Sequence, residues 1–291
     1  MRYGHGVLMV LAAATLWSLI AIAIRLVAEA DTWAVMFWRS VGMLPALVML
    51  ILWRSGGRLV GPVRAVGLAG LVGGVGLVLA FAGAIFAIRT TSVANAVFLF
   101  AASPFLAAVL GWLILGERVR RATWGAIALA GIGMFLMVRE GLALGMGLGN
   151  AAALLSALGF AVFSLALRWG RLADMFPAVL VGAVMSVLVA AAMSAAQGGT
   201  LAVPLRDIAI SAGMGVVLLT FGMALYTLGS RVVPAAELTL LSMVEVLLAP
   251  IWAWVLLGEG ATPATFVGGA VVLAAVAVNA LSGVRGRPVP I

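Results

Sequence analysis

The sequence predicts an all-α integral membrane protein of ten transmembrane helices, built as two inverted five-helix repeats with both termini in the cytoplasm. Three observations carry that prediction. Of 291 residues, 65% are apolar and only 9% charged, against about 25% charged in soluble domains. One hydrophobic core cannot absorb so much apolar surface, so lipid must be the solvent for most of the chain. The charged and Gly/Pro breaks divide the sequence into ten segments near the ~20 apolar residues that a spanning helix needs. The third observation is repetition. A shift of 142 to 143 positions brings Arg25 onto Arg168, Asp31 onto Asp174, Arg89 onto Arg231 and Glu117 onto Glu259. Leu115-Gly116-Glu117 recurs as Leu257-Gly258-Glu259, and Gly4/Gly6 recur as Gly147/Gly149. An odd number of spans per repeat makes the second enter the membrane from the opposite face, the construction of many carriers with a substrate site where the halves meet. The halves are expected at 1–143 and 144–291.

The spans are expected at 6–28, 32–53, 64–88, 91–114, 122–138, 148–168, 175–196, 207–229, 234–257 and 264–283. The first has the look of a signal peptide. Yet Gly6 to Val27 is long enough to span, Arg25 and Glu29 follow without an Ala-x-Ala cleavage site, and Gly149–Trp169 repeats it, so it reads as a retained helix. Between the third and fourth spans Arg89-Thr90-Thr91-Ser92 must form the whole turn. Its counterpart, Arg231-Val232-Val233-Pro234, supports the break, because proline suits a helix start.

All 17 basic residues are Arg. A pI near 11.6 could suggest nucleic acid, but these residues sit in short loops and set orientation instead. Arg2, Arg54, Arg58, Arg64, Arg118, Arg120, Arg121, Arg168, Arg171, Arg231, Arg285 and Arg287 fall on one side. Only Arg25, Arg89, Arg139 and Arg206 fall on the other, a bias of 12 to 4 that places both termini inside. With no Cys and the single His5 near the N-terminus, neither a disulfide framework nor a Cys- or His-based metal site is expected. No His, Cys or Asp falls in mid-span, which argues against a membrane enzyme with a convergent site. No charge ring or filter motif announces a channel. No cofactor is expected.

Two five-helix halves, each with Leu-Gly-Glu closing its fourth helix and a Gly-rich fifth helix, resemble the drug/metabolite transporter superfamily and its EamA-type repeat. The Pro-containing fourth helix appears as Ser103-Pro104 through Glu117, and again as Ala249-Pro250 through Glu259. The prolines depart from register, since Pro104 precedes its Glu by 13 residues and Pro250 by nine. Within the superfamily, ten helices and the overall sequence are most similar to the exporters of aromatic amino acids. The resemblance implies a ten-helix basket, a central cavity and alternating access.

Ionisable residues inside spans are expensive, about 3 kcal/mol on insertion scales, so each needs an account. Glu245 falls near the centre of the ninth span, and Arg39 about eight residues into the second, roughly 12 Å deep at 1.5 Å per residue. Glu237, at the start of the ninth span, has the interface within reach. Glu245 is read as a proton-titratable coupling group or a contact for a substrate amino group. The alternative ties it to Arg39, or to Ser and Thr, as a fixed interhelical contact. In the repeat Glu245 aligns with Ser103 and Glu237 with Asn95. Asn95 and Ser242 either line a cavity or tie packed helices; Asn279 reads as a tie.

Aromatic rings suit an aromatic substrate. Trp17, aligned with Phe160, lies in mid-span and Tyr226 deep in the eighth span, while Phe81 and Phe98 belong to the third and fourth. Packing or lipid contact is the competing reading for each. Trp33, Trp53, Trp112 and Trp124 read as interfacial anchors. Pro104 and Pro250 are candidate gates or hinges.

These observations favour a secondary transporter that exports aromatic amino acids and related metabolites across a bacterial inner membrane. The alternative is a broader, proton-coupled drug or metabolite exporter. The expected partners are a small-molecule substrate, aromatic amino acids favoured, and the lipid bilayer. The protein is expected as a monomer or weak homodimer that does not bind nucleic acid.

Overall fold

The computed structural model describes residues 3–172 and 174–284; Arg2, Arg285 and Arg287 of the charge bias lie outside them. Among the described residues there is no strand, and ten helices are long and apolar enough to cross a membrane. They are span 1 (Tyr3–Leu26), span 2 (Thr32–Arg54), span 3 (Gly67–Thr90), span 4 (Val93–Leu115) and span 5 (Arg121–Glu140). There follow span 6 (Gly147–Trp169), span 7 (Phe176–Ala196), span 8 (Leu205–Gly229), span 9 (Leu240–Leu257, in a helix that begins at Ala235) and span 10 (Pro263–Ser282).

One boundary differs from expectation. The third span was to start at residue 64, but a short helix, Val60–Ala65, precedes it. Gly67 then turns the chain at φ +48, a left-handed conformation that a side chain would strain. The recurrent Leu-Gly-Glu is one local structure built twice. Gly116 (φ 65) and Gly258 (φ 67) are left-handed helix ends, and the amides of Glu117 and Glu259 donate back to the Gly111 and Ala253 carbonyls, both at 3.1 Å.

Corresponding spans are not wound alike. Span 1 bends at Leu19, between Tyr3–Ser18 and Ile20–Leu26, whereas span 6 is one continuous helix. Span 4 breaks at residues 101–102, and there Pro104 has no N–H to offer the Phe100 carbonyl. Pro250 instead lies inside the unbroken helix Ala235–Leu257, so the two candidate hinges are not equivalent. Span 8 is π-wound over Met214–Phe221, where Thr220 Oγ1 donates to the Gly215 carbonyl at 2.9 Å. Span 3 has no such segment.

Packing divides the bundle along its axis. At the end where span 1 finishes, the Leu26 end, one continuous core joins Ile22 and Ile24, Met36, Ile85 and Ile88, Val93 to Leu99, Met137 and Ala253. At the Tyr3 end the core falls into three separate clusters. One joins spans 2, 3, 6 and 7 through Leu47, Ile51, Leu77 and Phe176. Another joins spans 4, 5 and 10 through Phe105, Ala130 and Ala275. The third joins the beginnings of spans 1 and 9 to the end of span 8 through Val10, Val233 and Leu238.

The seam between spans 3 and 6 is closed by glycine. A Cβ on Gly76 would lie 2.6 Å from the Gly159 carbonyl, and one on Gly159 2.5 Å from the Ala80 amide. Only missing side chains let these backbones approach so closely.

Candidate functional site

The related seam, between spans 1 and 8, is closed by Gly6 and Gly229 near the Tyr3 end and carries aromatic rings deeper in. Trp17, two residues before the bend in span 1, stacks obliquely on Tyr226, with ring centroids 5.4 Å apart and planes at 40°. One turn earlier on span 8, Gly222 gives the indole its room: a Cβ there would come within 2.5 Å of Trp17 Nε1. That Nε1 is buried and has no hydrogen-bond acceptor, although buried indole N–H groups usually find one. Ser242 of span 9 adjoins the Tyr226 hydroxyl and donates to the Leu238 carbonyl at 2.7 Å. Glu245 follows three residues later, on the same helix face, and is only half-buried. Span 9 is fixed to the bend itself by Trp252 Nε1, which donates to Ser18 Oγ at 3.0 Å; Ser18 in turn donates to the Thr15 carbonyl at 2.7 Å. Trp17, Tyr226 and Ser242 thus converge from spans 1, 8 and 9, and Glu245 lies one turn further along span 9. The site offers an aromatic wall, an N–H donor, a hydroxyl pair and an acid.

The remaining candidates lie elsewhere. Phe98 is buried with its ring against Gly269, where a Cβ would clash at 2.4 Å; it is a packing residue. Asn95 is buried in an interhelical tie, its Nδ2 donating to Thr91 Oγ1 at 3.1 Å and to Asn150 Oδ1. A crevice of about 60 Å³ lies beside it. Phe160 is 48% exposed on the bundle surface, next to Phe163, and does not share Trp17's surroundings. Phe81 lies under Arg39, whose guanidinium carbon is 4.1 Å from the ring centroid. Asn279 Oδ1 accepts from Thr123 Oγ1 at 2.8 Å, tying spans 5 and 10.

The ion pairs among the described residues are Arg25–Glu259 at 3.0 Å, Arg54–Asp174 at 3.0 Å and Arg168–Glu117 at 2.5 Å. None involves Glu245 or Arg39, so the fixed tie between those two is absent from this structure.

The first and last of these pairs join repeat-related residues crosswise. Glu259 pairs with the Arg of the first five spans, and Glu117 with the Arg of the last five. Arg25 Nη2 also donates to the Thr91 carbonyl at 2.9 Å, and Arg168 Nη2 to the Ala107 carbonyl at 2.8 Å. The two pairs stand at opposite ends of the bundle.

The sequence matches the EamA-like transporter family over residues 4–139 and again over residues 147–281. The chain belongs to that family. It is accordingly a multi-pass membrane protein and a transporter of small metabolites, as members of the EamA-like family are. A solved structure named only "Crystal structure of protein" aligns over 99% of this chain and 100% of its own, with a TM-score of 0.65 and 20% identity. At that identity the likeness is one of fold. No curated protein matches the chain.

In this EamA-like transporter two features of the ends escaped the reading of the sequence. One is the crosswise pairing. Its signal was present, because Arg25 and Glu259 were both expected at one end and Arg168 and Glu117 at the other. The second is Asp207, which the expected eighth span, 207–229, puts at its first residue. It is 1% exposed in the first turn of span 8 and accepts the backbone amides of Ala28 (3.3 Å), Glu29 (2.8 Å) and Ala30 (2.9 Å). Arg89 Nη1 donates to the Ala30 carbonyl at 2.7 Å, so the loop between spans 1 and 2 is held from both sides. No sequence pattern marks a carboxylate that caps a loop 177 residues away.

Proposed function

We propose that this EamA-like transporter exports aromatic amino acids and related small metabolites across a bacterial inner membrane by alternating access between two inverted halves, 1–143 and 144–291. One observation carries the substrate class: the Trp17–Tyr226 pair, with an unsatisfied indole N–H, beside Ser242 and Glu245. Aromatic faces supply stacking for a ring, and a half-buried acid without a cation within hydrogen-bonding reach supplies a counter-charge for an ammonium group. The crosswise pairs Arg25–Glu259 and Arg168–Glu117 support the inverted arrangement, since an antiparallel duplication brings each Arg to the Glu of the other copy. The Arg bias of the loops makes the Tyr3 end cytoplasmic. Alternation then consists of opening the three clusters of that end while the Leu26 end is closed, and the reverse.

The test is counterflow. Liposomes containing the purified protein, preloaded with unlabelled substrate, accumulate labelled Trp, Phe and Tyr, and aromatic but not charged amino acids compete. Absence of counterflow with every amino acid, from folded protein, would remove the aromatic assignment.

A second reading, a broader proton-coupled exporter, is favoured by Glu245 alone, which is half-buried and has no ion-pair partner among the described residues. On that reading Glu245→Gln abolishes pH-driven transport and leaves exchange intact. Equal loss of both, with intact folding, makes Glu245 a substrate contact.

A further inference from the structure

Arg39 has no ion-pair partner among the described residues. Its side chain, in span 2, is 2% exposed, and its guanidinium lies over the face of Phe81, a ring that packs against two of the core clusters at once. Nε and Nη2 are both buried without an acceptor. No carboxylate lies within 4 Å among the described residues. Arg25 Nη2 meets Glu259 and a carbonyl, although its Nε is also buried without an acceptor, and Asp207 accepts three amides. A packing role would not need this charge, because an apolar side chain would fill the volume without desolvating a cation.

The two unsatisfied atoms define the missing partner. Nε–H and Nη2–H form one edge of the planar guanidinium, the edge that takes a carboxylate in two parallel hydrogen bonds. Phe81 covers the face of the group, and that edge is enclosed in the bundle with no acceptor on it. Position supports the same reading. Gly215 of span 8 faces the Arg39 backbone, and Gly222 faces Trp17. Between them runs the π-wound segment Met214–Phe221, so the Arg39 backbone and the aromatic pair pack against span 8 at the beginning and at the end of that segment.

We infer that Arg39 is the binding site for the carboxylate of the transported substrate, so that the acid end of the molecule lies on Arg39 and its ring on Trp17 and Tyr226. This rests on the aromatic reading for the ring, but the Arg39 assignment fails or stands separately. Competition against labelled tryptophan, bound to the purified protein, tests it with a series that varies one group at a time. The competitors are tryptophan, indole-3-propionate (acid without amine), tryptamine (amine without acid), an aliphatic amino acid, and chloride or phosphate alone.

The wild-type protein is expected to prefer both acids over tryptamine at least tenfold. Arg39→Gln abolishes that preference while retaining tryptamine binding, and Arg39→Lys keeps part of it. Equal affinity of the wild type for acid and amine overturns the inference, and needs no variant to fold. So does a uniform weakening of all ligands in Arg39→Gln, which marks a packing role, or competition by inorganic anions but not by carboxylates. Absence of binding by any acid overturns it as well. If aliphatic acids instead compete as well as tryptophan and depend on Arg39, the carboxylate site stands and the aromatic reading falls.

Discussion

The two ends of the bundle carry the same device in different surroundings. At the Leu26 end, Arg25 and Glu259 are 28% and 23% exposed, and the second oxygen of Glu259 accepts the Val93 amide at 2.5 Å. A single core lies beneath, and Asp207 and Arg89 clamp the adjoining loop. At the Tyr3 end, Arg168 and Glu117 are 41% and 37% exposed, and the core beneath is split in three. A crevice of about 370 Å³ opens between the ends of spans 2 and 7 and Arg231, against about 60 Å³ at the other end. Identical motifs therefore build two locks, of which one is set into a continuous core and one stands over a divided core. In a carrier this is the difference between a closed end and an end able to open.

The comparison is broken most severely at Asp207. Removing a buried carboxylate that accepts three amides strands those donors, so Asp207→Ala is expected to lower stability in detergent by about 3 kcal/mol, read by denaturant or thermal unfolding. A loss under about 0.5 kcal/mol, typical of a surface site, would mean the loop is held by other contacts. The ion pairs come next. Glu259→Gln is expected to cost about 1–2 kcal/mol, since Arg25 is left half-buried and Val93 loses a charged acceptor. Glu117→Gln is expected to cost under about 1 kcal/mol, as exposed pairs do. Raising salt widens this gap slightly, because screening acts on the exposed pair and little on the shielded one. Equal costs at both ends would erase the distinction.

How much of this could be read from the sequence differs between fold and site. The ten spans were legible because a lipid-crossing helix must be long, apolar and bounded by charge. Landmarks such as Leu115-Gly116-Glu117 kept their structure wherever they recurred. The bend at Leu19 was not legible, for it has neither proline nor glycine. In the site, Trp17 and Tyr226 could be singled out as deep polar-tipped aromatics. Phe98, Asn95 and Phe160 could not be sorted, because lipid-facing and core-facing sides of a membrane helix are both apolar and periodicity no longer separates them. Phe160 shows how symmetry misleads. Near it Gly76 and Gly159 bring spans 3 and 6 into backbone contact, whereas spans 1 and 8 make theirs toward the Tyr3 end, at Gly6 and Gly229, and carry rings around Trp17. The repeat conserves the path of the chain but not the filling of its seams.

Alternation is tested most directly by locking one end at a time. The chain has no Cys, so paired cysteines introduce the only thiols. Arg25→Cys with Glu259→Cys, and separately Arg168→Cys with Glu117→Cys, are bridged by a short thiol-specific linker that reductant removes, and aromatic amino acid counterflow is measured before and after. Bridging either pair is expected to stop counterflow, and reductant to restore it, because a carrier must open both ends in turn. Counterflow that continues with either end quantitatively bridged would contradict the account.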